Sequence, residues 1–207
     1  MLISKTLIFY QVVNIVSQKG SGKRRWKMEN GDRYVYVVDV SKCYGCLSCV
    51  AACAAENNVP VGYFRTWVER YAMNGRVAFV PKICNHCDNP SCVHACPVNA
   101  TYKTEEGLVL IDDEICIGCG ACIQACPYGA RFRNPVKGTA DKCTLCNHRI
   151  PERLPACVES CPTSARVYGK MSDKAVKEIL SKKNAVVLKA YTGNEPHTYY
   201  VSLTGVE

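Results

Sequence analysis

The sequence predicts an α+β fold of two pseudo-symmetric modules, linked by short β-hairpins and followed by a C-terminal helix. Three observations predict it. Sixteen cysteines fall into four groups at a recurring spacing. Hairpin signals lie between those groups. Only the region after the last cysteine carries an ordinary amphipathic segment.

Composition narrows the chemistry. A chain of 207 residues with this many cysteines is either a disulfide scaffold or a metal protein. Disulfide scaffolds are mostly short chains that cannot build a core, so length favours metal. The apolar run from Leu7 to Val16 is about half the length of a membrane span, and no export signal is recognised. The formal charge of +8 invites a nucleic-acid reading. Each four-thiolate iron cubane would add about −2, however, so four of them would cancel the excess. Arg131-Phe132-Arg133 is too short to argue for nucleic acid, and none is expected.

Residues 1–33 form an N-terminal extension without cysteine. It reads as an accessory tail or an amphipathic arm, with Met28 as an alternative start. Tyr34 to Val40 reads as a strand leading into the first group, Cys43, Cys46, Cys49 and Cys53. Thr66 to Tyr71 and Arg76 to Val80 flank Asn74-Gly75, a hairpin signal. The second group is Cys84, Cys87, Cys92 and Cys96, followed by Pro97. A second hairpin, Ala100 to Lys103 and Leu108 to Ile111, turns on Glu105-Glu106-Gly107. Cys116, Cys119, Cys122 and Cys126-Pro127 form the third group, and Cys143, Cys146, Cys157 and Cys161-Pro162 the fourth. Ser172 is expected to cap a helix bearing Ala175, Val176, Ile179 and Leu180, and Thr198 to Leu203 to form a closing strand.

A [4Fe–4S] cubane needs four thiolates around a compact core. Two residues between ligands let one turn of chain place three sulfurs on one side, and the cysteine before proline reaches a neighbouring cluster. Gly45, Gly118, Gly120, Ala121 and Ala125 leave room for the backbone near the core. Zinc needs no third cysteine at this spacing, and disulfides between cysteines two apart are strained. Groups two and three, with their hairpin, look like a complete two-cluster ferredoxin. The remote-ligand rule then sets Cys84, Cys87 and Cys92 with Cys126, and Cys116, Cys119 and Cys122 with Cys96. Groups one and four remain: Cys43, Cys46 and Cys49 with Cys161, and Cys143, Cys146 and Cys157 with Cys53. A sequential pairing, one with two and three with four, is the alternative. The nested reading divides the chain into an outer ferredoxin-like module, residues 34–83 and 128–170, and an inserted one, residues 84–127. Residues 171–207 form the C-terminal segment.

From about Tyr34 to Tyr200 the chain resembles the four-cluster iron–sulfur subunit of the dimethyl-sulfoxide-reductase superfamily, of the polysulfide, thiosulfate and tetrathionate reductase type. The resemblance rests on Asp39-x-x-Lys42-Cys43-Tyr44-Gly45-Cys46, on 84–90 and 141–149, and on Pro155 to Thr163, with a weaker echo at Gly193 to Tyr200. It implies four [4Fe–4S] clusters with the nested ligand sets. It also implies a molybdopterin (Mo or W) catalytic partner and an integral-membrane anchor that meets quinone. The chain would then be a peripheral part of a membrane-associated complex, electron-carrying and not catalytic, without a membrane span of its own. Glu152-Arg153 departs from the glycine that relatives often carry before Pro-Ala-Cys. A soluble polyferredoxin shuttling between enzymes is the rival reading, and a zinc-based binding module a third.

His86 and His94 are surplus as ligands and are expected to tune or pack. His148 and Arg149 either donate to cluster sulfur or play a structural part, and His197 belongs to the closing segment. Trp67 and Phe64 are read as covers that keep water from a cluster, or as core. Lys142 either offsets cluster charge or is solvated.

Overall fold

The computed structural model describes residues 33–73, 76–182 and 184–203. The N-terminal extension up to residue 32 and the Asn74-Gly75 turn lie outside the described residues.

Strand β1 (Tyr34–Asp39) is the middle of a three-stranded sheet ordered β8-β1-β9, antiparallel to β8 (Arg166–Lys170) and parallel to β9 (Thr198–Val201). Its near-continuous apolar run suits a strand covered on both faces. Val35 and Val37 pack with Val176 and Val201, whereas Tyr36 and Val38 face the cysteine-bearing core with Cys49, Cys84, Cys143 and Cys157. Each fully buried valine contributes about 1.5–3 kcal/mol. Helix α5 (Lys174–Lys182) covers the first face through Val176, Ile179 and Leu180, while Ala175 stays exposed. The helix is entered from Asp173, not Ser172: the Asp173 carbonyl accepts the first intrahelical bond, from Lys177 N–H at 2.9 Å. Its carboxylate also accepts from Lys170 N–H at 2.7 Å.

Three hairpins are present among the described residues, two of them where the sequence predicts them. Strand β2 (Thr66–Met73) pairs with β3 (Arg76–Ile83), β4 (Thr101–Lys103) with β5 (Val109–Ile111), and β6 (Arg131–Arg133) with β7 (Ala140–Lys142). The third was not anticipated. Four helices carry cysteines: α1 (Ser48–Asn57), α2 (Ser91–His94), α3 (Ala121–Gln124) and α4 (Ala156–Glu159). The third cysteine of each group is the second residue of its helix. Helix α1 packs on α4 and α2 on α3. None of the helices among the described residues is long and apolar enough to cross a membrane.

Candidate iron–sulfur centres

Local geometry delivers each cysteine. Asp39 accepts from Ser41 N–H and Ser41 hydroxyl, capping a short 3-10 turn that leads into Cys43. Gly45 and Gly118 are left-handed, at φ +78° and +66°. A Cβ would meet the Phe79 ring 2.5 Å away at Gly45 and the Gly138 carbonyl oxygen 2.3 Å away at Gly118. Only glycine fits either place. The group-two loop is tied to the C-terminal segment. Asn85 carbonyl accepts from His197 N–H, and Asp88 and Asn89 N–H donate to Glu195 and Asn194 carbonyls.

All sixteen cysteines are free of disulfides. Cys43, Cys46, Cys49 and Cys161 line one cavity. Asn57 Nδ2 spans Cys53 and Cys146, at 3.7 and 3.8 Å from their sulfurs. Burial pushes Cys53 up to about 12, and the charges of Cys157 and Cys146 add to it. Cys143 is driven well above the ordinary thiol range by burial, then by Cys53 and Cys157. Burial also pushes Cys87 up to about 12, with Cys84, Cys92 and Cys126 adding. Cys116 and Cys122 share an apolar cluster beside α2, and Cys96 lies just past the end of that helix. Thus the first cysteines of group one stand with the last of group four, and Cys53 stands with the rest of group four.

Neighbouring groups also adjoin one another. Cys143 feels Cys84, and Cys92 shares an apolar cluster with Cys122. Exposure differs among the cysteines: Cys46 and Cys119 are exposed, Cys43, Cys96, Cys116, Cys126 and Cys161 are half-buried, and the other nine, Cys49 and Cys122 among them, are buried.

The donor set and its surroundings fit iron–sulfur cubanes. Among the described residues, no three His, Cys, Asp or Glu side chains are set for one metal ion. A zinc ion draws sulfurs to about 2.3 Å from a single point, and facing sets without that convergence suit a larger core. Two buried guanidiniums provide a second test. Arg166 is 2 % exposed and lines the cavity of Cys43, Cys46, Cys49 and Cys161. Arg131 is 5 % exposed and donates from Nη2 to Cys92 Sγ at 3.0 Å. Neither has a carboxylate partner among the described residues, whereas Arg65 has Asp141 at 2.8 Å. An uncompensated buried charge is strongly destabilising, so each demands anionic surroundings of the kind a thiolate-bound cluster supplies.

Lys142 is 1 % exposed, which rules out the solvated reading, and Nζ donates to the Cys143 carbonyl at 2.6 Å. His86 is buried, and its Nδ1 accepts from Val109 N–H at 3.0 Å, a packing role. His94 bonds Asn89 on the surface. His148 and Arg149 pair with Glu56, and Arg149 also with Glu159, so Arg149 bridges α1 and α4 while His148 ties its loop to α1, a structural part for both. His197 Nε2 meets Asp88 at 2.5 Å. Trp67 packs partly buried against the cysteine core, but Phe64 is 53 % exposed and covers nothing. Sequence reasoning missed Arg131 and Arg166. The signal was present as a repeated Cys-Pro-x-x-Ala-Arg, at Cys126 to Arg131 and Cys161 to Arg166.

The 4Fe-4S dicluster domain family matches residues 76–171. A tetrathionate reductase subunit of Salmonella typhimurium is 44% identical over 182 residues, 83% of this chain and 73% of that protein. The thiosulfate reductase electron transfer subunit PhsB of Salmonella typhi is 36% identical over 180 residues, 83% of this chain and 91% of that one. A selenate reductase subunit of Mesobacillus selenatarsenatis is 34% identical over 213 residues, covering 84% and 73%. With free cysteines gathered in facing sets and relatives of this kind along most of its length, the chain belongs to the family of 4Fe-4S electron-transfer subunits of tetrathionate, thiosulfate and selenate reductase type.

Proposed function

We propose that the chain holds four [4Fe–4S] clusters in one row and relays electrons between two partners. The ligand sets are Cys43, Cys46, Cys49 and Cys161; Cys53, Cys143, Cys146 and Cys157; Cys84, Cys87, Cys92 and Cys126; and Cys96, Cys116, Cys119 and Cys122. Residues 34–83 with 128–170 form the outer module, and residues 84–127 the inserted one. The packing of α1 on α4 and α2 on α3 supports this nested pairing over the sequential one.

A bound cubane of this type takes up or gives up one electron without needing a proton. The protein has no acid–base work to do. Its side chains exclude water, fix the sulfurs and balance charge. Tyr36 hydroxyl stands 3.2 Å from Cys157 Sγ, and the backbone N–H groups of Leu145 and Ala165 donate to Cys143 and Cys161 sulfurs at 3.3 Å each. Such bonds stabilise the more negative, reduced state.

The observation that carries the relay reading is that the two exposed cysteines, Cys46 and Cys119, fall one in each terminal set of the proposed row. Cys46 lies beside exposed Tyr44 and Leu47, and Cys119 near exposed Ile115 and Ile117. Bare sulfur ligands with apolar rims suit faces covered by other subunits. The partners are read as a molybdopterin catalytic subunit at one end and an integral-membrane anchor at the other, in a membrane-associated complex. Two measurements test this. Anaerobically purified protein should contain about 16 iron atoms per chain, four cubanes. It should also co-purify with a pterin-bearing subunit, whereas a stable monomer reduced by soluble donors would turn the assignment to a polyferredoxin shuttle.

A further inference from the structure

We infer that Arg166 and Arg131 are equivalent potential-setting residues, Arg166 shared by the two cluster sites of the outer module and Arg131 by the two of the inserted one. The inference rests on the ligand sets proposed above.

Both arginines occupy the same place in a repeated pattern, five residues after the remote cysteine of Cys126-Pro127 or Cys161-Pro162, at the first position of β6 or β8. Both are held from one side by a threonine that begins another strand. Arg166 Nη2 donates to Thr66 Oγ1 at 3.0 Å, and Arg131 Nη1 to Thr101 Oγ1 at 3.2 Å. The second group carries Cys96-Pro97-x-x-Ala100-Thr101, so threonine stands there where the other two groups have arginine. Each pair of adjoining cluster sites therefore faces one guanidinium locked by a hydroxyl.

From that anchor each fork reaches two sites. Arg166 lines the cavity of Cys43, Cys46, Cys49 and Cys161, and Nη1 donates to Tyr36 hydroxyl at 3.1 Å. That hydroxyl in turn meets Cys157 Sγ of the neighbouring set at 3.2 Å. Arg131 donates directly to Cys92 Sγ, and Cys122 of the adjoining set is also within its electrostatic reach. Burial opposes the charge of Arg166, but the Tyr36 oxygen and the Cys157 and Cys49 sulfurs outweigh it and raise its pKa well above the usual arginine range. A guanidinium stays charged under all working conditions. Adding an electron makes a cluster site one unit more negative, and a fixed cation in a low-dielectric core favours that state. Because each arginine faces two sites, it raises both potentials together.

Potentiometric titration followed by EPR on the anaerobically purified complex tests this, with R166Q, R131Q, R166K and R131K. Iron and sulfide content of the unmodified protein reads the ligand sets. The pattern of potentials reads the arginines. In iron-replete R166Q, two of the four reduction equilibria should fall about tenfold or more, 59 mV for a one-electron couple, with the other two unmoved. R131Q should move the complementary pair. Lysine variants should recover most of each shift, because charge and not fork geometry is responsible. Unchanged potentials in iron-replete glutamine variants, or all four moving together, would overturn the inference. If glutamine prevents loading, the lysine variants decide. Potentials close to wild type support the assignment, and a displaced pair despite the retained charge refutes it.

Discussion

The middle of the cysteine row and its two ends are built differently from the same motif. Around the middle, burial pushes Cys53 and Cys87 up to about 12 and Cys143 well above the ordinary thiol range. At the ends two thiols lie lower than usual, although burial still raises Cys43 and Cys49 beside the first of them. Cys46 is lowered first by the hydrogen bond from Ser48. Cys96 is lowered because backbone N–H groups from Thr101, Val98 and Ala100 outweigh its burial. A site that only hands electrons to neighbours within the chain gains from insulation. A site that exchanges them with another protein needs a face left open.

Breaking this contrast should give the largest effect at its centre. Cys143→Ser removes a fully buried ligand between the two modules, and we expect loss of soluble, iron-loaded protein. Cys46→Ser, at an exposed end, should leave the fold intact and affect one cluster. Iron content and circular dichroism distinguish these outcomes; equal damage from both would erase the distinction between middle and end.

Next comes docking. Ile117 is 63 % exposed and Leu47 51 %. Ile117→Glu and Leu47→Glu should each slow electron exchange with one partner by tenfold or more without changing cluster content, as stopped-flow reoxidation would read. Unaltered rates in both variants would mean that electrons enter and leave elsewhere.

Loading should also separate the regions by pH. A thiol with a raised pKa holds its proton through the neutral range and releases it when iron takes the sulfur, so acid opposes loading everywhere. For Cys46 and Cys96 the competition ends once pH passes a thiol pKa lowered from the ordinary 9.0, while burial prolongs it at Cys43 and Cys49. In the middle it persists toward about 12. Iron affinity, measured by chelator competition, should therefore rise with pH over the widest range at the sites that hold Cys53 and Cys87.

The smallest effect is steric. Gly118→Ala and Gly120→Ala share a left-handed backbone, but only at Gly118 does a Cβ meet a carbonyl oxygen. Gly120→Ala should lose about 1 kcal/mol and Gly118→Ala about 3 kcal/mol, read as a difference in melting temperature.

Much of this organisation was legible in the chain itself. Cys-x-x-Cys spacing is a local property, and so is the alternation that places Thr66 to Ile83 in a hairpin, since neighbouring residues decide both. The β6–β7 hairpin was missed because its strands are three residues long and polar, Arg131–Arg133 and Ala140–Lys142, without a hydrophobic period. The cap of α5 moved from Ser172 to Asp173 because two capping residues stand side by side, and the Lys170 N–H engages the second. Phe64 reads as a core residue by type alone, yet the turn before β2 leaves it in solvent.

The sequence by itself determined that iron–sulfur chemistry is the business of this chain, because thiol number and spacing are covalent facts that survive any folding. Only the tertiary structure decided which sulfurs face one another, which of them reach the surface, and that Arg131 and Arg166 are buried without carboxylates. Those properties depend on strands far apart in sequence closing around a shared core. Burial, which turns an ordinary arginine into an electrostatic lever, exists only after they have closed.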